Sequence, residues 1–128
     1  MSEPVFLELG DVLLLHEQQL ARYGGGAGIR DLKLLESAVA TPRATFGGEY
    51  LHKGLFEMAA AYAFHISQNQ PFVDGNKRTG LIGALVFLEL NGIAISDPAG
   101  ELYDAMIGIA EHRFSKSALA DLFQRLAE

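Results

Sequence analysis

Two segments of this sequence are too apolar to lie on a protein surface. From Leu55 to Ile66 only Glu57 and His65 interrupt an apolar run, and between Asn76 and Leu90 the residues Leu81, Ile82, Leu85, Val86, Phe87 and Leu88 recur at similar density. Segments of this length and character read as helices surrounded by other helices. Pro71 lies between them. It lacks an amide hydrogen and disfavours helix at the residue before it, so the first helix is expected to break around Asn69-Gln70 and the second to restart near Asn76. A chain with such a hairpin at its centre must use its remaining length to cover both members. The expected fold class is therefore all-α, a compact bundle of about six helices in a single domain spanning residues 1–128.

The covering elements follow from local signals. Val5-Phe6-Leu7, ending at Gly10, reads as a single edge strand or as the lead-in to a helix, with the short N-terminal strand the preferred reading. From Asp11 to about Tyr23 an amphipathic helix is expected, with Asp11 as its N-cap and Gly24-Gly25-Gly26 as its end. Those glycines could cradle a phosphate, but they lack the spacing and the Lys-Ser/Thr ending of a P-loop, and a plain loop is the better reading. Asp31 caps a second helix to about Ala40, which Pro42 stops. Thr41 to His52 is an irregular connector, either a small hairpin around Phe46-Gly47-Gly48 or a loop near the site. Gly80 and Gly83 lower helix propensity inside the second central helix, which suggests a close backbone neighbour. Asn91-Gly92 closes that helix, and Ile93-Ala94-Ile95 reads as extended. Asp97 with Pro98 at the first helical position opens a further helix to about Glu111, and Ser115 caps the last one.

Bulk properties narrow the function. The formal charge is −6 and no Lys/Arg block is present, so the electrostatic attraction that dominates nucleic-acid binding has no source, although a nucleotide at a local basic site fits. The absence of cysteine rules out disulfides and thiolate metal sites and suits a reducing compartment. Met1-Ser2-Glu3-Pro4 is unlike the basic start of a signal peptide, and every apolar run is interrupted well before about 18 residues. A cytoplasmic protein with no membrane partner is expected.

The chemistry concentrates in Asn69 to Gly80. At the start of the second central helix the unpaired amides of Gly75, Asn76 and Lys77 would point outward with the positive end of the helix dipole, which makes an anion site. Lys77 and Arg78 add cations, and Gly75 lets a bound group approach the backbone. A polyphosphate is the natural guest. Asp74 beside it calls for a bridging divalent cation, and a hard oxygen ligand suits Mg²⁺. Phe72 should turn inward and pin the loop. The bland alternative is a helix junction in which Asp74 caps and both cations are merely solvated.

The order of these residues adds a resemblance. Pro71-Phe72-Val73-Asp74-Gly75-Asn76-Lys77-Arg78, after an alanine-rich helix and before Phe87-Leu88-Glu89-Leu90-Asn91-Gly92, resembles the Fic/Doc superfamily and in particular the death-on-curing (Doc) toxins. The likeness extends through Leu15-His16, Arg22-Tyr23-Gly24-Gly25, Gly28-Ile29-Arg30-Asp31, Leu35-Glu36-Ser37-Ala38 and Phe46-Gly47-Gly48, almost the whole chain. It implies the all-helical Fic fold and transfer of a phosphate-containing group from ATP, or another nucleoside triphosphate, to a protein hydroxyl. In Doc toxins this is phosphorylation of elongation factor Tu, which arrests translation, and a cognate antitoxin neutralises the toxin. By resemblance Asp74 would hold Mg²⁺, Gly75, Asn76 and Lys77 would form the anion hole, and Arg78 would contact phosphate.

Two departures matter. AMP-transferring relatives carry Gly at the position of Lys77 and Arg at that of Leu81, so this chain resembles the kinase-like branch. Gln70 stands where the family has its histidine. A neutral imidazole with a pKa of about 6.5 can take the proton of an attacking hydroxyl, whereas a carboxamide cannot, and loss of a general base costs about 10²–10⁴ in rate. An engineered change, a natural variant and a copy that only binds all stand open, so nucleotidyl transfer and a non-catalytic Fic-fold binding module remain as alternative functions. His16, His52, His65 and His112 read as structural or surface histidines. Thr45-Phe46-Gly47-Gly48-Glu49-Tyr50 only loosely matches the self-inhibitory motif of some Fic proteins, and inhibition is expected from a separate chain.

Overall fold

The computed structural model describes residues 3–128, and the elements run α1 (Leu9–Tyr23), α2 (Leu32–Ala40), a 3-10 turn (Thr41–Arg43), β1 (Thr45–Phe46), β2 (Glu49–Tyr50), α3 (Leu55–Asn69), α4 (Asn76–Leu90), α5 (Glu101–Ala110) and α6 (Lys116–Leu126). Met1 and Ser2, part of the expected non-secretory N-terminus, lie outside the described residues. No helix of the described chain is long and apolar enough to cross a membrane.

α3 is the axis. It packs against α2, α4, α5 and α6, and every residue from Met58 to Ala63 is buried. Ala59, Ala60, Ala61 and Ala63 present only methyl groups, so neighbours approach the α3 backbone from several sides without leaving voids. The closest approach is with α4. A Cβ built on Gly80 would lie 2.9 Å from the Ala63 carbonyl oxygen, so glycine is required there, whereas Gly83 meets Leu7 only at an ordinary 3.7 Å. Phe87, Leu88, Leu119 and Phe123 complete the core around α3.

Several boundaries follow the local signals. Asp31 accepts from the Leu34 amide at 3.0 Å, and Ser115 accepts from Ala118 at 3.0 Å. The connector contains a two-residue hairpin, Thr45 opposite Tyr50 and Phe46 opposite Glu49. Ile95 forms an isolated antiparallel bridge with Ala127.

Three expectations fail. Val5-Phe6-Leu7 forms no strand, because side chains satisfy its backbone instead. The Asn91 amide accepts from the Val5 amide (2.8 Å) and donates to its carbonyl (3.0 Å), and the Tyr62 hydroxyl does the same for Leu7 at 2.9 and 3.4 Å. α1 starts at Leu9 with Glu8 as N-cap, so Gly10 is helical. Asp11 lies in the first turn, where its carboxylate accepts from the Glu8 amide at 2.8 Å. α5 starts at Glu101, three residues beyond Pro98. The Asp97 carboxylate still reaches the amides of Glu101 (2.8 Å) and Leu102 (2.9 Å), but across a turn that ends at Gly100 with φ +73°.

Candidate functional site

α3 ends at Asn69, and Gln70 takes a left-handed conformation with φ +47°. That conformation is unusual for a residue with a side chain and needs support. Arg30 supplies it. Its Nε donates to the Gln70 carbonyl at 2.6 Å and its Nη2 to the Asn69 carbonyl at 2.9 Å, so a cation also sits at the negative end of α3. The backbone of the same segment pairs with the loop: Arg30 and Asp31 amides donate to the Pro71 carbonyl, and the Val73 amide donates to Gly28. Ile29 and Phe72 thereby form an antiparallel bridge.

The turn is held from beneath as well. Phe72 is buried and stacks on His16, with ring centroids 3.7 Å apart and an interplanar angle of 7°. His16 Nε2 lies 2.8 Å from the Asp74 carbonyl oxygen, which makes it the donor and fixes the Nε2–H tautomer. The Asn76 side chain accepts from the Phe72 amide (2.9 Å) and donates to the Phe72 carbonyl (3.0 Å). Asn76 therefore uses its carboxamide to hold the loop.

These constraints aim Asp74 outward. Its carboxylate accepts from the Gly75 amide (2.9 Å) and the Gly26 amide (3.3 Å). Those two amides, with a smaller contribution from Arg78, hold its pKa below the ordinary aspartate value, so it is ionised at neutral pH. Gly75 has φ +78°, and a Cβ on Gly25 (φ +120°) would lie 2.8 Å from an Asp74 carboxylate oxygen. The triple-glycine stretch read as a plain loop is thus part of the site. A glycine run after a helix looks the same in sequence whether it only ends the helix or also wraps a carboxylate.

α4 begins at Asn76 with Gly75 as its N-cap, and among the described residues no acceptor engages the Asn76, Lys77 or Arg78 amide. Lys77 is exposed and in no ion pair of the described residues. The Arg78 guanidinium rests 4.3 Å from the centre of the Tyr23 ring. Gln70, Asp74, Gly75, Asn76, Lys77 and Arg78 all line one cleft of about 470 Å³. The candidate site residues named from the sequence therefore share one cleft. The opposite wall was missed: it comes from α5, with Tyr103, Met106, Ile107 and Ala110. Their i, i+3, i+4, i+7 spacing marks one helix face, but nothing local says what that face looks toward.

No histidine substitutes at Gln70. His16 is committed beneath the loop, and His112 is exposed. His65 and His52 form a separate cluster, their Nε2 atoms 3.1 and 3.0 Å from Lys116 Nζ. Burial, reinforced by Lys116, pushes the His65 pKa down to about 4 and lowers that of His52. Burial also lowers the Lys116 pKa.

Among the described residues Asp74 is the sole carboxylate on the cleft, and no group of three or more His, Cys, Asp or Glu is arranged to hold a metal. That donor set fits Mg²⁺, which usually binds through one or two carboxylates together with substrate phosphates rather than in an all-protein cage.

A model described as the Fic/DOC family matches residues 6–88. Over 116 residues, 91% of this chain and 90% of the relative, the sequence is 35% identical to "Protein kinase doc" of Escherichia phage P1. It is 40% identical over 74 residues to "Toxin Doc" of Mycolicibacterium smegmatis, covering 58% of this chain and 57% of that one. The family match runs from the segment before α1 into α4 and stops short of α5.

Proposed function

The chain belongs to the Fic/DOC family, and from that premise we propose that it is a Doc-like toxin of a cytoplasmic toxin–antitoxin pair, built to phosphorylate a protein hydroxyl with ATP and Mg²⁺. The observation that carries this reading is the α4 N-terminus, where free amides, Lys77, Arg78 and an ionised Asp74 converge on one cleft. The Asn76 and Lys77 amides and the Lys77 ammonium would receive the phosphates, and Arg78 would leave the Tyr23 ring to join them; the Gly75 amide, expected from the sequence to be free, is instead committed to the Asp74 carboxylate. Asp74 would hold Mg²⁺ jointly with those phosphates, and the ion would neutralise charge that builds up on the transferring group. In the transfer the bond from the γ-phosphorus to the leaving ADP oxygen breaks, and one to the target hydroxyl forms. The hydroxyl proton passes to residue 70 when it is histidine and to water when it is glutamine.

Gln70 therefore sets the rate. Its left-handed backbone places the side chain at the cleft, where it can orient a hydroxyl by hydrogen bonding but cannot take its proton. The chain as it stands is expected to be slower than a Gln70→His variant by about 10²–10⁴. The target we propose is elongation factor Tu, by analogy with Doc toxins, and the partner that restrains the toxin is a separate antitoxin.

The test is intact-mass analysis of elongation factor Tu after incubation with Gln70→His protein, ATP and Mg²⁺. A phosphate-sized gain is expected. A nucleotide-sized adduct would instead establish AMP transfer, a reading disfavoured by Lys77 and Leu81. No adduct with any nucleoside triphosphate, alongside nucleotide affinity equal to that of the Gln70 protein, would leave a non-catalytic binding module, which Gln70 itself favours.

A further inference from the structure

Lys116, the first residue of α6, is half-buried without a carboxylate partner. It enters none of the ion pairs of the described residues, and the Glu57 carboxylate is bound to the Lys53 amide instead. Its partners are two imidazoles. His52 Nε2, from the connector, lies 3.0 Å from Lys116 Nζ, and His65 Nε2, from α3, lies 3.1 Å away, across 64 and 51 residues of sequence. Burial, reinforced by Lys116, keeps both rings neutral at pH 7. The Phe64 ring is a further neighbour, its centre 6.0 Å from Nζ.

We propose that this arrangement makes Lys116 a modification site, an amine that accepts an acyl group from a small acyl phosphate with His52 and His65 as proton acceptors. An amine attacks a carbonyl only after losing a proton, and a paired carboxylate would hold that proton in place. Burial does the opposite here. It is the leading influence on Lys116 and lowers its pKa, with Glu57 acting the other way. A nucleophile within about 2.6–3.2 Å of a base is in the geometry that activates it, and Lys116 has two such bases on separate elements. The product suits the site for the same reason. An amide carries no charge, so acylation removes the desolvation cost of the ammonium and still leaves one N–H for an imidazole.

In the reaction the ammonium first gives one proton to water. The Nζ lone pair then attacks the acyl carbon, a C–N bond forms, and the bond from that carbon to the phosphate oxygen breaks, so that inorganic phosphate leaves with the electron pair. The second proton shed by nitrogen passes to an imidazole Nε2 and from there to water, because neither ring is basic enough to keep it. Lys116 also borders, with Phe64 and Phe114, an open cleft of about 540 Å³ that gives a donor room to approach. Neither Lys116 nor the two histidines line the Asp74 cleft, so the inference is independent of the nucleotide reading.

The chain has four lysines, and Lys33, Lys53 and Lys77 are all more exposed than Lys116. The test is incubation of the whole protein with acetyl phosphate near neutral pH, with acetylation of each lysine followed over time by peptide mass spectrometry. Lys116 should react about 10-fold or more faster than Lys33 and Lys53, and the difference should vanish in urea-unfolded protein. His52→Gln and His65→Gln keep a hydrogen-bonding side chain but remove a base. Each should slow acetylation of Lys116 about 3- to 10-fold while leaving Lys33 and Lys53 unchanged. A native rate at Lys116 equal to or below that of Lys33 and Lys53 overturns the proposal, because the imidazoles would then only lock the ammonium in place. That comparison needs no variant to fold. An advantage that survives intact in both histidine variants and in their combination also overturns it, since the rings would then take no part.

Discussion

Two clusters of ionisable groups in this molecule are built in opposite ways. Around Asp74 the groups are exposed, and backbone amides of Gly75 and Gly26 keep the carboxylate charged. Around Lys116 the groups are half-buried among α3, α6 and the connector, and burial acts against the charge of all three: His52, His65 and Lys116. The first arrangement keeps charge where an anion or cation can use it. The second suppresses charge where helices pack. Substitutions in the first should therefore change binding and rate, and substitutions in the second should change stability and its pH dependence.

The largest effect is expected from Gln70→His, which should raise phosphoryl transfer by about 10²–10⁴ while leaving the melting temperature close to that of the parent. A gain in stability with no gain in rate would break the contrast at its strongest point. Next comes Gly25→Ala. The new methyl would press on the Asp74 carboxylate from a backbone at φ +120°, a conformation unsuited to alanine. A loss of about 1–3 kcal/mol in stability and of most Mg²⁺-dependent nucleotide affinity is expected, measured by urea melts and calorimetry. Gly10→Ala is the control, since nothing lies within 4 Å of its Cβ position.

Acidification separates the two clusters directly. The folded pKa of His65 is lowered, so the unfolded chain takes up the proton first as pH falls. The stabilisation from its neutral form is complete above about 6.5 and is lost as pH falls from there toward 4. After allowance for solvent screening of a half-buried group, about 1–2 kcal/mol should disappear across that window. His65→Gln should flatten the profile. The Asp74 carboxylate, whose pKa is also lowered, contributes above the ordinary aspartate value and loses its effect only below it. Between pH 6 and pH 5 urea melts should therefore weaken while Asp74 remains charged. A pH profile unchanged by His65→Gln would show that other groups carry the acid response.

The same contrast governs how much was readable in the sequence. The Asp74 site sits on one contiguous run, and the unengaged amides beside it depend on a helix start signalled by Pro71 and Gly75. Caps such as Asp31 and Ser115 were readable for the same reason, because the donor and acceptor lie three residues apart. Gly80 announced a close neighbour, although not that the neighbour was Ala63. What escaped was assembled across the chain. His16 lies 58 residues from the carbonyl it holds, and Arg30 reaches Gln70 across 40. The α5 wall is joined to α3 by a side chain 41 residues away. Amphipathic spacing identifies a buried face but not its partner, so the second wall of the cleft and the His52–Lys116–His65 cluster had no local signature. Val5-Phe6-Leu7 misled because an extended, apolar stretch looks the same whether its backbone pairs with a strand or with the side chains of Tyr62 and Asn91.

The smallest effect tests why the second cluster is neutral. Lysine has donors only, so Lys116 must face imidazole lone pairs on His52 and His65, which places the remaining proton of each neutral ring on Nδ1. The His52 Nδ1 is buried and finds no acceptor in the described structure. Burial is the leading cause of both lowered histidine pKa values, with Lys116 second. In Lys116→Met the apolar stem is roughly kept and the charge removed, so both values should rise only part of the way toward 6.5, followed by NMR of the ring protons. Stability at pH 7 should change by no more than about 1 kcal/mol, because water can reach the half-exposed rings and replace the lost donor. A full return to the ordinary histidine value would mean that the lysine charge, not burial, keeps these rings neutral. The cluster would then be an electrostatic device like the one at Asp74, and the contrast between the two would collapse.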